Sequence, residues 1–421
     1  MKKIISIAFI ATLAITSIFA DNFDSLFETD DVIETTSPLS SDSLFDDDSL
    51  FGDSSNLFET QDSSTLSPLN LSDDLLTSEV AISGSYSFNF ETGLTYDFDT
   101  SSSPTYYAES DISTEIQLSA RPTTDTRFFI KTSLSFPFKN VEDNPSTPLI
   151  DEEYNFFEVE ELFYDFIVSD EYYFRVGKQT LNMGVGYFYS PANLLNISSI
   201  DPLDPEEDQE GPLAIKVNRP LGNDNLYGYV TLPDESDYNP EDLGFAARYE
   251  KVIGKGEYTL SGYYAYDQAT SPSKIALTLS NSIFTDIDIF AEAVESYDGS
   301  DFYFSGTAGI QILKNIEDLV DTSVTFIAQY YYDQDGVSTY NSISYDATHQ
   351  LAGLLSLSLP NDYGISLYSI NVLKESSGVV SGNLWYDVND DINLSVGALY
   401  NWGTINSIKP YISLTLGSGD F

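Results

Sequence analysis

Between residues 302 and 359 apolar and polar positions alternate with a period of two. Phe302, Phe304, Gly306, Ala308, Ile310 and Ile312 take the even positions, and Tyr303, Ser305, Thr307, Gly309 and Gln311 fill the odd ones. After a polar link at 314–321, Val324, Phe326, Ala328, Tyr330 and Tyr332 alternate with Ser323, Thr325, Gln329 and Tyr331. Beyond a longer polar loop at 337–348 the period returns, with Leu351, Gly353, Leu355, Leu357 and Leu359 set against Ala352, Leu354, Ser356 and Ser358. Successive side chains of a strand point to opposite faces of its sheet, so each segment predicts a strand with one greasy and one mostly wet face.

The same pattern begins at Val80 and does not stop. Segments at 80–90, 105–120, 127–138, 154–168, 172–177, 213–217, 226–232, 244–251, 257–266, 274–280, 285–294, 364–373, 379–387, 392–401 and 408–416 all read as strands. With the three above, the count is about 18, and 16 is the runner-up. Links after even strands are short (121–125, 169–171, 222–224, 254–256, 281–284, 360–362, 389–391), and those after odd strands are longer (139–151, 178–211, 233–242, 296–301, 337–348). The links at 314–321 and near Glu375 depart from this rule. Short turns at one end and long loops at the other are the arrangement of transmembrane barrels. A soluble sandwich also alternates, but it must interdigitate two apolar faces, whereas the Ser, Thr, Gly, Asn and Gln stripes here suit a hydrated lumen. Aromatic residues, 30 Tyr and 27 Phe, recur near strand ends (Tyr266, Tyr330, Tyr331, Tyr332, Tyr400, Trp402), as girdles at a lipid–water boundary require. The predicted fold is all-β: a transmembrane antiparallel barrel over 79–421, with its greasy face to lipid.

Composition narrows the functional classes. Against 17 basic residues stand 67 acidic ones, a net charge of -50, which excludes nucleic acid as a partner and suggests cations or simple solubility. Cys 0 excludes a disulfide framework, a thiolate nucleophile and an acylated N-terminus. Residues 1–20 read as a signal peptide: Lys2 and Lys3, an apolar run at 4–18, then Ala20. Residues 21–78 hold no Lys or Arg and read as a disordered, acidic, low-complexity segment in the periplasm. Leu26-Phe27, Leu44-Phe45, Leu50-Phe51 and Leu57-Phe58 recur within it. They are either docking anchors for a periplasmic partner or residual apolar groups of a spacer.

Charged positions inside the strands are the candidate site. Arg127 and Lys131 share parity on the third strand, Glu161 and Asp165 on the fourth, and Arg175, Lys216 and Arg248 follow on the fifth, sixth and eighth. Asp286, Asp288 and Glu292 share parity on the far wall. On a lipid face at mid-depth each charge would cost about 2–4 kcal/mol, so all of them are expected to line the lumen. They form either an eyelet with a transverse field or a wall-stiffening ladder of ion pairs. The long connection at 178–211 contains Tyr187, Phe188 and Tyr189, and it reads as an inward, narrowing loop or as an exposed one. Its carboxylates at 201–210, from Asp201 and Asp204 through Glu206, Glu207 and Asp208 to Glu210, are a candidate Ca²⁺ ligand set without EF-hand spacing. The one histidine, His349, has no catalytic constellation around it, and no nucleophile elbow, phosphate loop or His-based metal motif is present. An enzyme is not expected.

Over 80–421 the pattern resembles bacterial outer-membrane porin-like barrels. Locally, Arg175-Val176-Gly177-Lys178-Gln179, then Gly184, then Pro191-Ala192-Asn193, is similar to a segment of porin-like and alginate-export-like barrels in which a strand feeds a long outer loop; Met183 stands where that pattern has Trp. The resemblance implies an outer-membrane channel for passive diffusion of small hydrophilic solutes or ions. The alternatives are a non-conducting adhesin or structural barrel, and a secreted soluble β-protein. Phe421 resembles the terminal aromatic by which the barrel-assembly machinery recognises its clients. It lies on the opposite parity to Ile412 and Leu414, so either the last strand holds a bulge or the signal is degenerate.

Overall fold

The structure is a computed structural model. It describes residues 79–99, 103–138, 157–198, 200–203, 205, 209–232, 243–266, 271–316, 322–340, 343–346, 348–389, 392–403 and 406–420. The proposed signal peptide, the Leu-Phe repeats and Phe421 lie outside these residues.

Every described element is a strand. They are β1 Glu79–Asp97, β2 Thr105–Thr123, β3 Thr126–Phe138, β4 Phe157–Val168, β5 Tyr172–Lys178, β6 Leu213–Leu221, β7 Asp224–Thr231, β8 Gly244–Ile253, β9 Gly256–Ala265 and β10 Ser273–Phe284. There follow β11 Ile287–Tyr297, β12 Phe302–Asn315, β13 Ser323–Asp333, β14 Val337–Tyr340, β15 Ile343–Asp346, β16 His349–Leu359, β17 Tyr363–Val372, β18 Ser377–Asn389, β19 Ile392–Trp402 and β20 Ser407–Asp420. Each wall strand pairs antiparallel with the next, and β1 also pairs with β20, closing an 18-stranded barrel. β14 and β15 form a separate hairpin within the β13–β16 loop.

The two faces are sorted as the alternation requires. Phe302, Leu277 and Leu260 point outward with 63%, 56% and 51% of their surface exposed, while Gln329 and Gln311 point inward and are 1% exposed. The greasy face is therefore the outer one, suited to lipid, and the polar face encloses the lumen. Tight turns close the short-link end. Ser169 and Asp170 both have positive φ, as do Asn361 and Asp362, the backbone of the hairpin turn whose twist matches the flanking strands. At the other end Tyr96, Phe98, Tyr106, Tyr266 and Phe302 are exposed outward, and Tyr400 stacks with Trp402. Phe284, Tyr258 and the stacked pair Tyr363 and Tyr386 ring the short-turn end, so both girdles are present.

The link read as a loop at 337–348 holds the β14–β15 hairpin, and strand ends and register also differ from the sequence reading. β1 runs 19 residues, well beyond 80–90, because its pairing with β2 continues to Thr95 and Thr105 through the turn-like Glu91-Thr92-Gly93, while β2 starts at Thr105 as expected and ends three residues later, at Thr123. In β20 the register against β1 jumps between Tyr86 and Phe88, with Gly417 at φ 70. This β-bulge inserts one residue and reverses parity, so Gly419, not an even-numbered residue, faces Tyr86.

Candidate functional site: a loop folded across the lumen

In the connection between β5 and β6, residues 181–195 fold into the barrel. Two apolar seats hold it. Leu181, Met183, Ala192, Leu194 and Leu195 pack on the inner wall at Ala214, Tyr227, Tyr229, Ala246, Ala276 and Val294. Further on, Phe188 is fully buried against Ile327, Ala352, Ile370 and Val379. Ala352 on β16 is the ninth strand round from β5 in an 18-strand ring, so the loop crosses from its own wall to the opposite one. Alanines at 214, 246, 276 and 352 leave the wall low enough for larger loop side chains to seat.

Polar groups fix the loop's backbone, which would otherwise be buried with unpaired amides. Glu292 of β11 is 4% exposed and serves four donors. Its Oε1 accepts from Val185 N at 2.5 Å, Gly186 N at 2.7 Å and Ser190 Oγ at 2.8 Å, and its Oε2 accepts from Ala192 N at 2.8 Å. Gln329 of β13 accepts from Phe188 N at 2.7 Å and donates to Tyr189 O at 2.6 Å. Tyr189 stacks on Tyr331 at 4.7 Å and donates to Gln350 at 2.8 Å. Within the loop, Asn193 Oδ1 accepts from Met183 N and Gly184 N, both at 2.8 Å, and Asn196 Oδ1 accepts from Leu181 N at 2.9 Å. Gly186 has no room for a side chain: a Cβ there would lie 2.0 Å from Tyr189 O.

The charged residues expected in an eyelet divide into two groups. Arg175 on β5 donates to Asp165 on β4 from Nε at 2.8 Å and from its Nη2 at 3.3 Å, and its guanidinium lies 3.8 Å over the Phe163 ring. Lys216 lies directly opposite Arg175 in register, 5.2 Å over Tyr227. Arg248 on β8 pairs with Glu250 at 3.2 Å and Glu257 at 3.3 Å, and it donates to Asn182 O of the loop at 3.1 Å. Asp165, Arg175, Lys216, Arg248 and Glu292 are all buried, held by wall partners or by the loop. Arg127, Lys131, Glu161 and Asp288 keep partial exposure on the inward face. Arg127 donates to Ser119 at 3.0 Å over the Phe129 ring, and Lys131 pairs with Glu115 and Glu160, each at 3.1 Å. A register shift in β4 beside Lys131 turns Glu160 toward it, while Glu161 accepts from Thr180 N of the loop at 3.0 Å. Asp286 is not a wall residue: it sits in the β10–β11 turn, where its carbonyl accepts from Leu313 N.

Several members of the site carry no charge and are absent from a charge-based reading. Gln329, Tyr331, Ile327 and Asn193 each hold the loop. Ile327, Leu354, Ile370, Val379 and Leu399 carry a usable signal, because they are apolar on the parity that is otherwise wet, and all belong to Phe188's seat or pack against it. In the carboxylate stretch at 201–210, Asp204, Glu206, Glu207 and Asp208 lie outside the described residues. Of the rest, Asp201 caps Leu203 N and Glu210 pairs with Lys178 at 2.8 Å. No group of three metal-capable side chains occurs among the described residues.

No protein-family model and no curated protein matches the sequence. Solved structures do match. A BenF-like porin from Pseudomonas fluorescens Pf-5 is 12% identical with a TM-score of 0.50, over 80% of this chain and 98% of that one. Pseudomonas aeruginosa OpdK, crystallised with vanillate, is 11% identical with a TM-score of 0.50, over 81% of this chain and 99% of that one. Together with the closed ring of 18 antiparallel strands, these likenesses show that the chain has the porin barrel fold.

Proposed function

We propose that the protein is an outer-membrane channel through which small hydrophilic solutes and ions diffuse passively, between the inward loop and the part of the wall it leaves bare. The observation that carries this reading is the one-sided position of the loop. It packs on β6–β8, β10, β11, β13 and β16–β18, whereas no described side chain of β1 or β2 is buried. The bare sector is polar, with hydrogen-bonded pairs such as Ser87 with Ser113, Asn89 with Asp111 and Ser395 with Ser413 facing the lumen. Passage is then filtered by the width left beside the loop and by the charges of that wall. Export by residues 1–20, a periplasmic location for 21–78 and recognition of Phe421 by the assembly machinery belong to the same proposal.

A blocked barrel serving adhesion or structure is the second reading, favoured by the two apolar seats that fill the loop's side of the lumen. Refolded full-length mature protein in planar bilayers separates the two. Stepwise single-channel conductance supports the pore; a silent barrel that is inserted and heat-modifiable removes it and leaves the second reading. Deleting residues 21–78 without any change in periplasmic co-purification would remove a docking role for the Leu-Phe repeats.

A further inference from the structure

The loop also sorts charge. On the sector it covers, two buried guanidiniums are matched: Arg175 by Asp165, and Arg248 by Glu250 and Glu257. On the bare sector the long-loop half of the wall is acidic. Glu91 on β1, Glu109, Asp111 and Glu115 on β2, and Glu158 and Glu160 on β4 share the inward parity or, at the β4 register shift, are turned to it. The ammonium groups in this half lodge among those carboxylates. Lys131 Nζ sits 3.1 Å from both Glu115 and Glu160, and Lys409 Nζ sits 3.3 Å from Glu91 and 4.2 Å over the Tyr107 ring. Glu109, Asp111 and Glu158 form no ion pair among the described residues. Arg127 lies lower, near the short-turn end of β3, and its charge is directed to Ser119 and the Phe129 ring.

We infer that this half of the bare wall makes the channel selective for small cations, with Glu109, Asp111 and Glu158 as its specificity-determining residues. The inference rests on the pore reading. Fixed negative charge on a low-dielectric wall focuses potential into the water beside it, raising the local concentration of cations and excluding anions. Lys131 and Lys409 offset two of the three paired carboxylates, so the sign of the field is set by the third and by the three carboxylates outside any ion pair. The Arg175 and Arg248 guanidiniums buried behind the loop are matched by Asp165, Glu250 and Glu257 and do not reverse it.

The test is the reversal potential of the refolded full-length mature protein in bilayers under a KCl gradient. The wild type is expected to pass potassium in preference to chloride. The triple variant Glu109→Gln, Asp111→Asn, Glu158→Gln is expected to lower PK/PCl by roughly sevenfold, because removing about one kT of lumen potential changes potassium and chloride partition by about 2.7-fold each in opposite directions. The wild-type preference should also shrink as mean salt rises from about 0.1 M, where screening reaches about 10 Å, to about 1 M, where it reaches about 3 Å. That measurement needs no variant to fold. A wild type with PK/PCl at or below one overturns the inference and leaves the pore intact. An unchanged triple variant overturns the assignment to these residues. A silent barrel removes the pore reading, and the inference falls with it.

Discussion

Glu292 is a single carboxylate on which the position of the constriction depends, and replacing it with alanine tests the site most directly. Four loop donors converge on it: Val185 N, Gly186 N, Ser190 Oγ and Ala192 N. Hydrogen bonds to a charged acceptor contribute about 1.5–3 kcal/mol each, so the four together represent roughly 6–12 kcal/mol before compensation. The compensation is large, because freed amides can turn to lumen water, and because Gln329 and the Phe188 seat still hold the far end of the loop. The net effect is therefore a loop that detaches locally, not a barrel that unfolds. Glu292→Ala is expected to raise single-channel conductance and open-channel noise and to make the loop sensitive to protease, while heat-modifiable migration persists. Glu292→Gln should be intermediate, since its amide oxygen still accepts while its amide nitrogen opposes one loop N–H. Formate added to Glu292→Ala should lower conductance again by restoring an anionic acceptor to the ring of donors. If Glu292→Ala matches the wild type in conductance, noise and loop proteolysis, and formate does nothing, the latch is not what places the loop.

Three further expectations follow from the same structure. Asp165→Asn removes the carboxylate that accepts from Arg175 Nε and Nη2, and breaking a buried pair typically costs about 3–5 kcal/mol. The temperature of the heat-modifiable transition should fall, and the double variant Asp165→Asn, Arg175→Gln should recover part of it; no recovery would contradict a buried pair. Removing Phe421 should impair insertion in cells: the bulge at Gly417 puts Gly419 on the parity of the lipid-facing Tyr86, and Phe421 is two positions further on. Unchanged membrane yield of that variant would sink the idea. In the β11–β12 loop, hydrogen bonds from Asp301 N, Ser300 N and Ser300 Oγ hold the Asp298 carboxyl below its ordinary range. A depressed carboxyl stabilises the turn at higher pH and loses that contribution as pH falls through its folded-state value. The amide resonances of Ser300 and Asp301 should therefore shift only below about pH 3.9, the unperturbed aspartate value, and a midpoint at or above it would refute the arrangement.

The barrel was legible because lipid and lumen impose a strict period of two on every strand. Phe302 to Ile312, Val324 to Tyr332 and Leu351 to Leu359 all turn their greasy positions outward, and the short links at 169–171 and 360–362 are tight turns. What the period could not show was where a strand ends when its pairing overrides local turn residues, as at Glu91-Thr92-Gly93 in β1. The β14–β15 hairpin was hidden for a related reason, since two four-residue strands are too short to establish a period. The cost of charge in lipid assigns strand-borne charges an inward parity, but Asp286, in the β10–β11 turn, belongs to no strand. Their exposure was not legible, because Arg175, Lys216 and Arg248 are buried by neighbours that parity alone does not reveal.

The latch explains why that part of the site escapes sequence pattern. Val185 and Glu292 are 107 residues apart, and Phe188 and Gln329 are 141 apart. No local propensity couples such positions; they meet only once the wall has curved round and carried β11 and β13 to face β5. The loop's two seats and its four-donor carboxylate therefore depend on the wall being in place, and the constriction forms as a consequence of closure. The trace this leaves in the sequence is indirect but physical. A uniformly hydrated lumen has no use for Ile327, Leu354, Ile370, Val379 and Leu399 on its wet parity, whereas β1 and β2 carry Ser87, Asn89, Ser113 and Gln117 there. Apolar residues on the inward face mark the wall that something covers, and polar ones mark the wall left to water. The boundary between those two kinds of inward stripe, running between β18–β19 on one side and β3–β5 on the other, outlines the path along which solutes are proposed to move.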